Sequence, residues 1–193
     1  ERHRIDLDRL TGGKKVMVYG QTEVTRDLMD ARAAAGLTTI YEAGDVQIHN
    51  FDSDRPHVTY SKDGISHTLE CDFIAGCDGF HGVSRRSIPD HLRRDFEKVF
   101  PYAWLGVLSA TPPVHKELIY GASQRGFALC SMRNENLSRY YIQCAMTDTA
   151  DQWSDEAFWE ELKLRIPPDH ARTMVTGPSL EKSVIPLRSF VTE

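Results

Sequence analysis

Two stretches, Phe127-Ala128-Leu129-Cys130-Ser131-Met132-Arg133 and Arg139-Tyr140-Tyr141-Ile142-Gln143-Cys144-Ala145, flank the five residues 134–138. Two strands joined by so short a loop read as a hairpin. With Arg133 set opposite Arg139, antiparallel pairing puts Ser131 across from Tyr141, Leu129 from Gln143 and Phe127 from Ala145. All of these share one face, because side chains alternate along a strand. The other face then holds Met132 with Tyr140, Cys130 with Ile142 and Ala128 with Cys144, which suits a core. The first face gathers two guanidinium groups, a serine hydroxyl and a phenol, with no carboxylate among the pairs. Like charges placed directly opposite each other destabilise a sheet unless something satisfies them. An anion does so, and arginine with hydroxyl donors suits a carboxylate through charge-assisted, bidentate hydrogen bonds. From the residues alone, a solvated face on which both arginines splay into water is an equal alternative. Tyr120, which ends Leu118-Ile119-Tyr120, reads by itself as a packed aromatic.

A second group of polar residues follows the apolar run Phe73-Ile74-Ala75-Gly76: Cys77-Asp78-Gly79-Phe80-His81-Gly82-Val83-Ser84-Arg85-Arg86. Ligands of α/β sheets bind outside the carboxyl ends of strands, and glycine lets a backbone approach closely, so Asp78-Gly79 fits a nucleotide site. His81, Arg85 and Arg86 would then meet phosphates. Asp-Gly is also a common turn, so the motif is weak by itself. Gly12-Gly13-Lys14-Lys15 lacks the spacing of a phosphate-binding loop, and no G-x-G-x-x-G occurs. The four cysteines, Cys71, Cys77, Cys130 and Cys144, form no C-x-x-C pair and no zinc spacing, and read as reduced thiols of a cytoplasmic protein.

The elements that must carry these groups fall in two styles. Residues 21–36 read as a helix, with Val24, Leu28, Ala31 and Ala35 on one stripe and Gly36 past its end. Short strands are expected at 16–19, 38–43, 45–51, 57–60 and 66–70, with a turn at Asp63-Gly64. Residues 71–76 lose the alternation and read as a strand covered on both faces. Longer, aromatic-rich strands are expected at 99–109, 117–121, 126–132 and 139–145. A helix starts at the N-cap Ser154, with Phe158 and Leu162 on its buried side, and stops at Pro167-Pro168. Asp169 reads as the cap of a further short helix, and 183–192 as a strand that Pro186 confines to an edge. The fold class is therefore α/β in the mixed α+β sense. Residues 1–97 form part of a nucleotide-binding-type domain, 98–184 an antiparallel-sheet substrate domain, and 185–193 a return to the first.

The 193 residues are 40% apolar, enough for a core, and 26% charged with a net charge of −5. No global basic field gathers nucleic acid or an anionic membrane, so an anion site must be local. No apolar run approaches the ~20 residues that span a bilayer.

Four runs together carry a resemblance. They are Val18-Tyr19-Gly20-Gln21-Thr22-Glu23-Val24-Thr25-Arg26-Asp27-Leu28, Ala75 to Gly82, Pro112-Pro113 followed by Glu117 to Tyr120, and Thr176-Gly177-Pro178-Ser179-Leu180-Glu181-Lys182-Ser183. In order and spacing the chain resembles the class A flavoprotein aromatic hydroxylases, specifically those acting on 4-hydroxybenzoate. The resemblance implies FAD and NADPH as cofactors and O₂ as co-substrate, and hydroxylation of 4-hydroxybenzoate to 3,4-dihydroxybenzoate. It implies Gln21, Asp78, Gly79 and Arg139 at FAD, and His81, Arg85 and Arg188 at NADPH. Ser131, Arg133 and Tyr141 are implied at the substrate carboxylate and Tyr120 at the substrate phenol, with Tyr120 and Arg139 acting in catalysis. Relatives of this kind are commonly homodimers. A related hydroxylase for another aromatic acid, or a non-catalytic aromatic-acid-binding module, are the alternatives. The family's Gly-rich βαβ unit and later Gly-Asp motif do not occur, so the chain is expected to be the middle of a longer enzyme and inactive alone.

Overall fold

The computed structural model describes residues 2–193. The chain divides into two compact units, one made of residues up to Leu28 with Val99–Leu187, the other of Met29–Lys98 with Arg188–Glu193.

The first unit is built on a sheet whose strand order is β5-β6-β7-β4-β8, the residues 95–98 of β4 and 188–192 of β8 being counted with the second unit. These strands are β4 (Asp95–Ser109), β5 (Ile119–Ser123), β6 (Gly126–Asn134), β7 (Leu137–Cys144) and β8 (Ser179–Thr192). β4 with β7, β5 with β6, and β6 with β7 are antiparallel. β8 is an edge, which explains how Pro186 fits within it without costing an interior ladder bond. One face of the sheet is buried through Ala103, Leu105, Val107, Ala128, Cys130, Tyr140 and Ile142. Against it lies α4 (Asp155–Lys163), which contributes Phe158, Trp159 and Leu162 from one side of its helical repeat. Ser154 caps α4 by accepting the Ala157 amide, and Trp159 Nε1 donates to the Gly177 carbonyl at 2.8 Å. Asp155, in the first turn, accepts from the Ser179 amide and hydroxyl and pairs with Lys182. The lysine bond and the Ser179 amide hold its carboxyl down at about 2. α5 (Pro168–Thr173) starts from Pro167, not from Asp169, which sits inside the helix. Proline at the first helical position loses no bond, because that amide has no helical acceptor.

The second unit contains a three-stranded antiparallel sheet, β1 (Gly44–His49), β2 (His57–Lys62) and β3 (Ile65–Glu70). Asp63 and Gly64 both take positive φ, 53° and 76°, as a two-residue hairpin turn with the natural strand twist requires. The helix α3 (Val83–Ser87) follows the Asp78-Gly79 turn.

Three expected strands are absent. Residues 16–19, 38–43 and 71–76 join no ladder, the second is broken by a bend at Glu42 with φ 58° and the third by one at Asp72, and Met17 and Phe73 stand 81% and 92% exposed. Residues 71–76 carry the pattern of a strand covered on both faces, yet none of the three segments pairs into a sheet among the described residues. Backbone hydrogen bonding, not residue pattern, makes a strand. The helix at 21–36 is α2 (Gln21–Ala34), closed by Gly36 at φ 68°, and its apolar residues Val24 and Leu28 are exposed. Among the described residues no helix is long and apolar enough to cross a membrane. Cys130 is buried, and burial pushes its thiol up to about 12. Cys77 is exposed, and Cys71 is half-buried with its Sγ on the Pro56 carbonyl.

Candidate functional site

The hairpin exists, but its register differs from the expected one. β6 and β7 pair Ser131 with Arg139, Leu129 with Tyr141, Cys130 with Tyr140 and Ala128 with Ile142, and close at Asn134 opposite Leu137. The turn is thus two residues, Glu135-Asn136, and Asn134 Oδ1 accepts the Asn136 amide at 2.8 Å. This local bond makes the tight turn favourable, and the surplus residue is taken up as a bulge at Arg133, between Met132 and Asn134. Arg133 therefore does not face Arg139, and no like charges stand opposed across the hairpin there.

Parity survives the shift, because the slip is by an even number. Ser131, Arg139, Leu129 and Tyr141 share one face, while Cys130, Tyr140, Ala128 and Ile142 lie in the core on the other. Tyr120 pairs with Leu129 across β5 and so joins the same face, two strands from Tyr141 and thus about 10 Å away along the ladder. Four expected residues from three strands are brought to one surface. Arg133 is half-buried at the bulge and forms no hydrogen bond or ion pair among the described residues.

Arg139 is 8% exposed. Its Nε donates to the Tyr141 hydroxyl at 3.2 Å, its guanidinium lies 5.2 Å from the Tyr141 ring centre, and its Nη1 is 2.9 Å from Glu181 Oε1. Burial by itself lowers the pKa of this guanidinium, but the bonds to Glu181 and Tyr141 outweigh it and the net shift is upward. The hairpin pairs themselves hold no carboxylate, and the one that meets Arg139 is Glu181, which arrives from β8. Ser131 is 6% exposed and its hydroxyl donates to the Arg139 carbonyl at 3.0 Å. To grip an anion that hydroxyl must rotate off the carbonyl. Tyr120 is 65% exposed, with its ring 5.7 Å from Phe127, which in turn meets Trp104 edge-on at 5.3 Å. An aromatic row therefore adjoins the polar end of the face.

Gly106 on β4 sits opposite Tyr141. A methyl there would lie 2.8 Å from Tyr141 Cε1 and 3.3 Å from Arg139 Nη2. Glycine in mid-strand is the signature of such a close approach, and was the available clue to this position. Arg165, from the chain just beyond α4, donates to the carbonyls of Phe127 and Gln143 at 3.2 and 2.7 Å and pairs with Glu161. It ties the far ends of β6 and β7 together. Neither Arg165 nor Glu181 gives any sign in the local sequence, since each acts on a strand remote from it.

In the second unit, Asp78 Oδ2 accepts the Ser84 amide at 2.9 Å, and that bond leads the effects that lower its pKa. The bond clamps the turn onto the start of α3. Gly79 has φ 72° and nothing within 4 Å of where a Cβ would stand, so its backbone is open to a ligand. Gly82 has no such room, because a Cβ would fall 2.1 Å from Asp78 Cγ. Arg85 is committed within the unit: Nε donates to the Phe80 carbonyl at 2.6 Å, Nη1 to Asp95 at 2.7 Å, and the guanidinium lies 4.0 Å over the Phe80 ring. Asp95 is held low by the Thr192 hydroxyl and by Arg85. Phe190 stacks on Phe80 at 4.2 Å and meets the exposed His81 ring edge-on at 5.6 Å. Arg188 pairs with Glu97 at 3.1 Å, exposed. In the first unit, Gln21 opens α2, where its carbonyl accepts the Thr25 hydroxyl.

A mixed fold of this kind, with an antiparallel sheet bearing an anion-suited face and an open Asp-Gly turn before a short helix, is that of flavin-binding proteins. The model of the FAD binding domain family matches residues 1–193, and the chain belongs to that family. It is 60% identical over 193 residues to p-hydroxybenzoate hydroxylase of Acinetobacter baylyi (strain ATCC 33305 / BD413 / ADP1), covering 100% of this chain and 48% of that protein. The chain thus spans about half the length of the curated relative it matches. Among solved structures it resembles the flavin-dependent halogenase CmlS, with a TM-score of 0.60 and 14% identity over 90% of this chain and 31% of that one. It also resembles the OxyS anhydrotetracycline hydroxylase from Streptomyces rimosus, with a TM-score of 0.54 and 15% identity over 89% of this chain and 34% of that one. At such identities the likeness is one of fold. The open backbone at Gly79, beside a carboxylate already fixed by Ser84, fits the close approach of a dinucleotide.

Proposed function

We propose that this chain is the central part of an FAD-dependent monooxygenase that converts 4-hydroxybenzoate, NADPH, H⁺ and O₂ to 3,4-dihydroxybenzoate, NADP⁺ and water. The observation that carries this reading is the face shared by Tyr120, Ser131, Arg139 and Tyr141, with phenol at one end and guanidinium at the other. That polarity matches a rigid aromatic acid with a hydroxyl opposite its carboxylate. The identity to p-hydroxybenzoate hydroxylase supports the same substrate.

In this reading Asp78 and Gly79 hold FAD, as do Gln21 and Arg139, while His81, Arg85 and Arg188 serve NADPH. The chemistry supplied by the bound cofactor is oxygen activation and transfer of one oxygen atom to the ring. The chain's own residues bind and orient. Arg133, whose guanidinium is uncommitted among the described residues, takes the carboxylate together with Tyr141 and Ser131. Tyr120 hydrogen-bonds the substrate phenol and draws it toward phenolate, which enriches the neighbouring ring carbon in electron density. Arg85 must give up Asp95 or Phe80 to reach a phosphate, so its service to NADPH includes breaking one bond within its unit. A cytoplasmic homodimer belongs to the same reading.

The test is a panel of hydroxybenzoates added to the intact protein with FAD, with NADPH consumption and product both measured. Stimulation by 4-hydroxybenzoate with 3,4-dihydroxybenzoate formed in step is expected. A different aromatic acid as the sole effective substrate would reassign the specificity, and no stimulation by any would end the reading.

A further inference from the structure

The charge on the substrate face is set from outside the hairpin. Arg139 is nearly enclosed, its side chain 10% exposed, whereas Glu181, whose Oε1 lies 2.9 Å from Arg139 Nη1, is 55% exposed. The arginine is fixed: Nε bonds the Tyr141 hydroxyl at 3.2 Å, and Nη2 lies close enough to Gly106 that a methyl there would stand 3.3 Å away. The glutamate is the partner that can leave, because a pair with one solvated member is weakly held. Four groups therefore share the polar end of the face: Arg139, Glu181, Tyr141 and Ser131, the last bonded to the Arg139 carbonyl.

We infer that Glu181 is a positioning residue that sets the anion affinity of this face by neutralising Arg139 from β8. With its carboxylate in place, Arg139 is oriented by two bonds and offers an incoming carboxylate little net charge, so Arg133 is left to take that anion. Without it, the guanidinium keeps its place through Tyr141 but presents its full charge to the face. The inference deepens the reading above and rests on it, since it assumes that this face receives an aromatic carboxylate.

The experiment uses the intact protein with FAD bound and measures dissociation constants by equilibrium titration for 4-hydroxybenzoate and for its uncharged isostere 4-hydroxybenzamide. Glu181→Gln keeps the size and the exposed position, so folding is not at stake. It is expected to tighten 4-hydroxybenzoate by roughly two- to fivefold and to leave 4-hydroxybenzamide unchanged. In an Arg139→Gln background the same substitution should have no such effect, because the charge it unmasks is gone. An equal change for both ligands, no change for either, or an undiminished tightening without Arg139 would overturn the inference. Failure of the unsubstituted protein to bind 4-hydroxybenzoate would overturn the proposed function as well. Binding that Glu181→Gln leaves untouched would overturn the inference alone.

Discussion

Gly106→Ala is the sharpest test of the site's geometry. The new Cβ would stand 2.8 Å from Tyr141 Cε1 and 3.1 Å from Cδ1. Carbon atoms rest about 3.5–4.0 Å apart, so the ring must withdraw by roughly 0.7–1.2 Å. Replacing glycine in a strand by itself stabilises by about 0.5–1 kcal/mol through the unfolded chain. Overpacking costs about 1–3 kcal/mol, so the steric effect wins and a net loss of up to about 2 kcal/mol is expected in urea unfolding. The larger effect should be on binding. A Tyr141 hydroxyl moved by about 1 Å no longer reaches both Arg139 Nε and a substrate carboxylate, and a hydrogen bond to a charged group is worth about 1.5–3 kcal/mol. The 4-hydroxybenzoate dissociation constant of the intact protein should rise at least about tenfold. Adding Tyr141→Leu removes the ring that clashes, and should restore stability without restoring binding. Wild-type stability and affinity in Gly106→Ala would show that Tyr141 is neither packed as described nor at the substrate.

Three further outcomes follow from the same structure. Tyr120→Phe in the intact protein should still bind 4-hydroxybenzoate but consume NADPH with little hydroxylated product, releasing peroxide; coupling equal to wild type, measured as product per NADPH, would remove Tyr120 from the mechanism. Arg133→Lys should weaken substrate binding, since an ammonium cannot reproduce the planar fork, and an unaltered dissociation constant would contradict the assignment. Asp155, whose carboxyl is held at about 2 by Lys182 and Ser179, contributes stability that is complete above its unfolded value and fades as pH falls from about 4 to about 2. Asp155→Asn should therefore lower stability at pH 7 by about 1 kcal/mol after solvent screening, and the difference from wild type should shrink in acid unfolding series; a gap that persists at pH 2 would refute the linkage.

Much of this was legible because side-chain alternation survives errors of detail. The core face Cys130, Tyr140, Ile142 followed from parity, and remained correct although the hairpin register was two residues out. The register itself was not legible: a five-residue connection between two strands allows several closures, and the choice was made by the Asn134 side chain and the bulge at Arg133. The strands expected at 16–19, 38–43 and 71–76 carry the right residues but lack neighbours among the described ones, and a strand's existence is a property of the pair. The link between Glu181 and Arg139 joins positions 42 residues apart in sequence through a sheet order no local pattern specifies.

The contrast among the cysteines gives the molecule a built-in labelling address. With the Cys130 thiol pushed up to about 12 and enclosed, alkylating reagents at neutral pH find almost no thiolate there, while Cys77 lies open immediately before Asp78. Cys77 is the exposed thiol of this chain and Cys71 is half-buried, so a fluorophore attached here is directed first to the Asp-Gly turn, where its emission reports on whatever docks against that backbone.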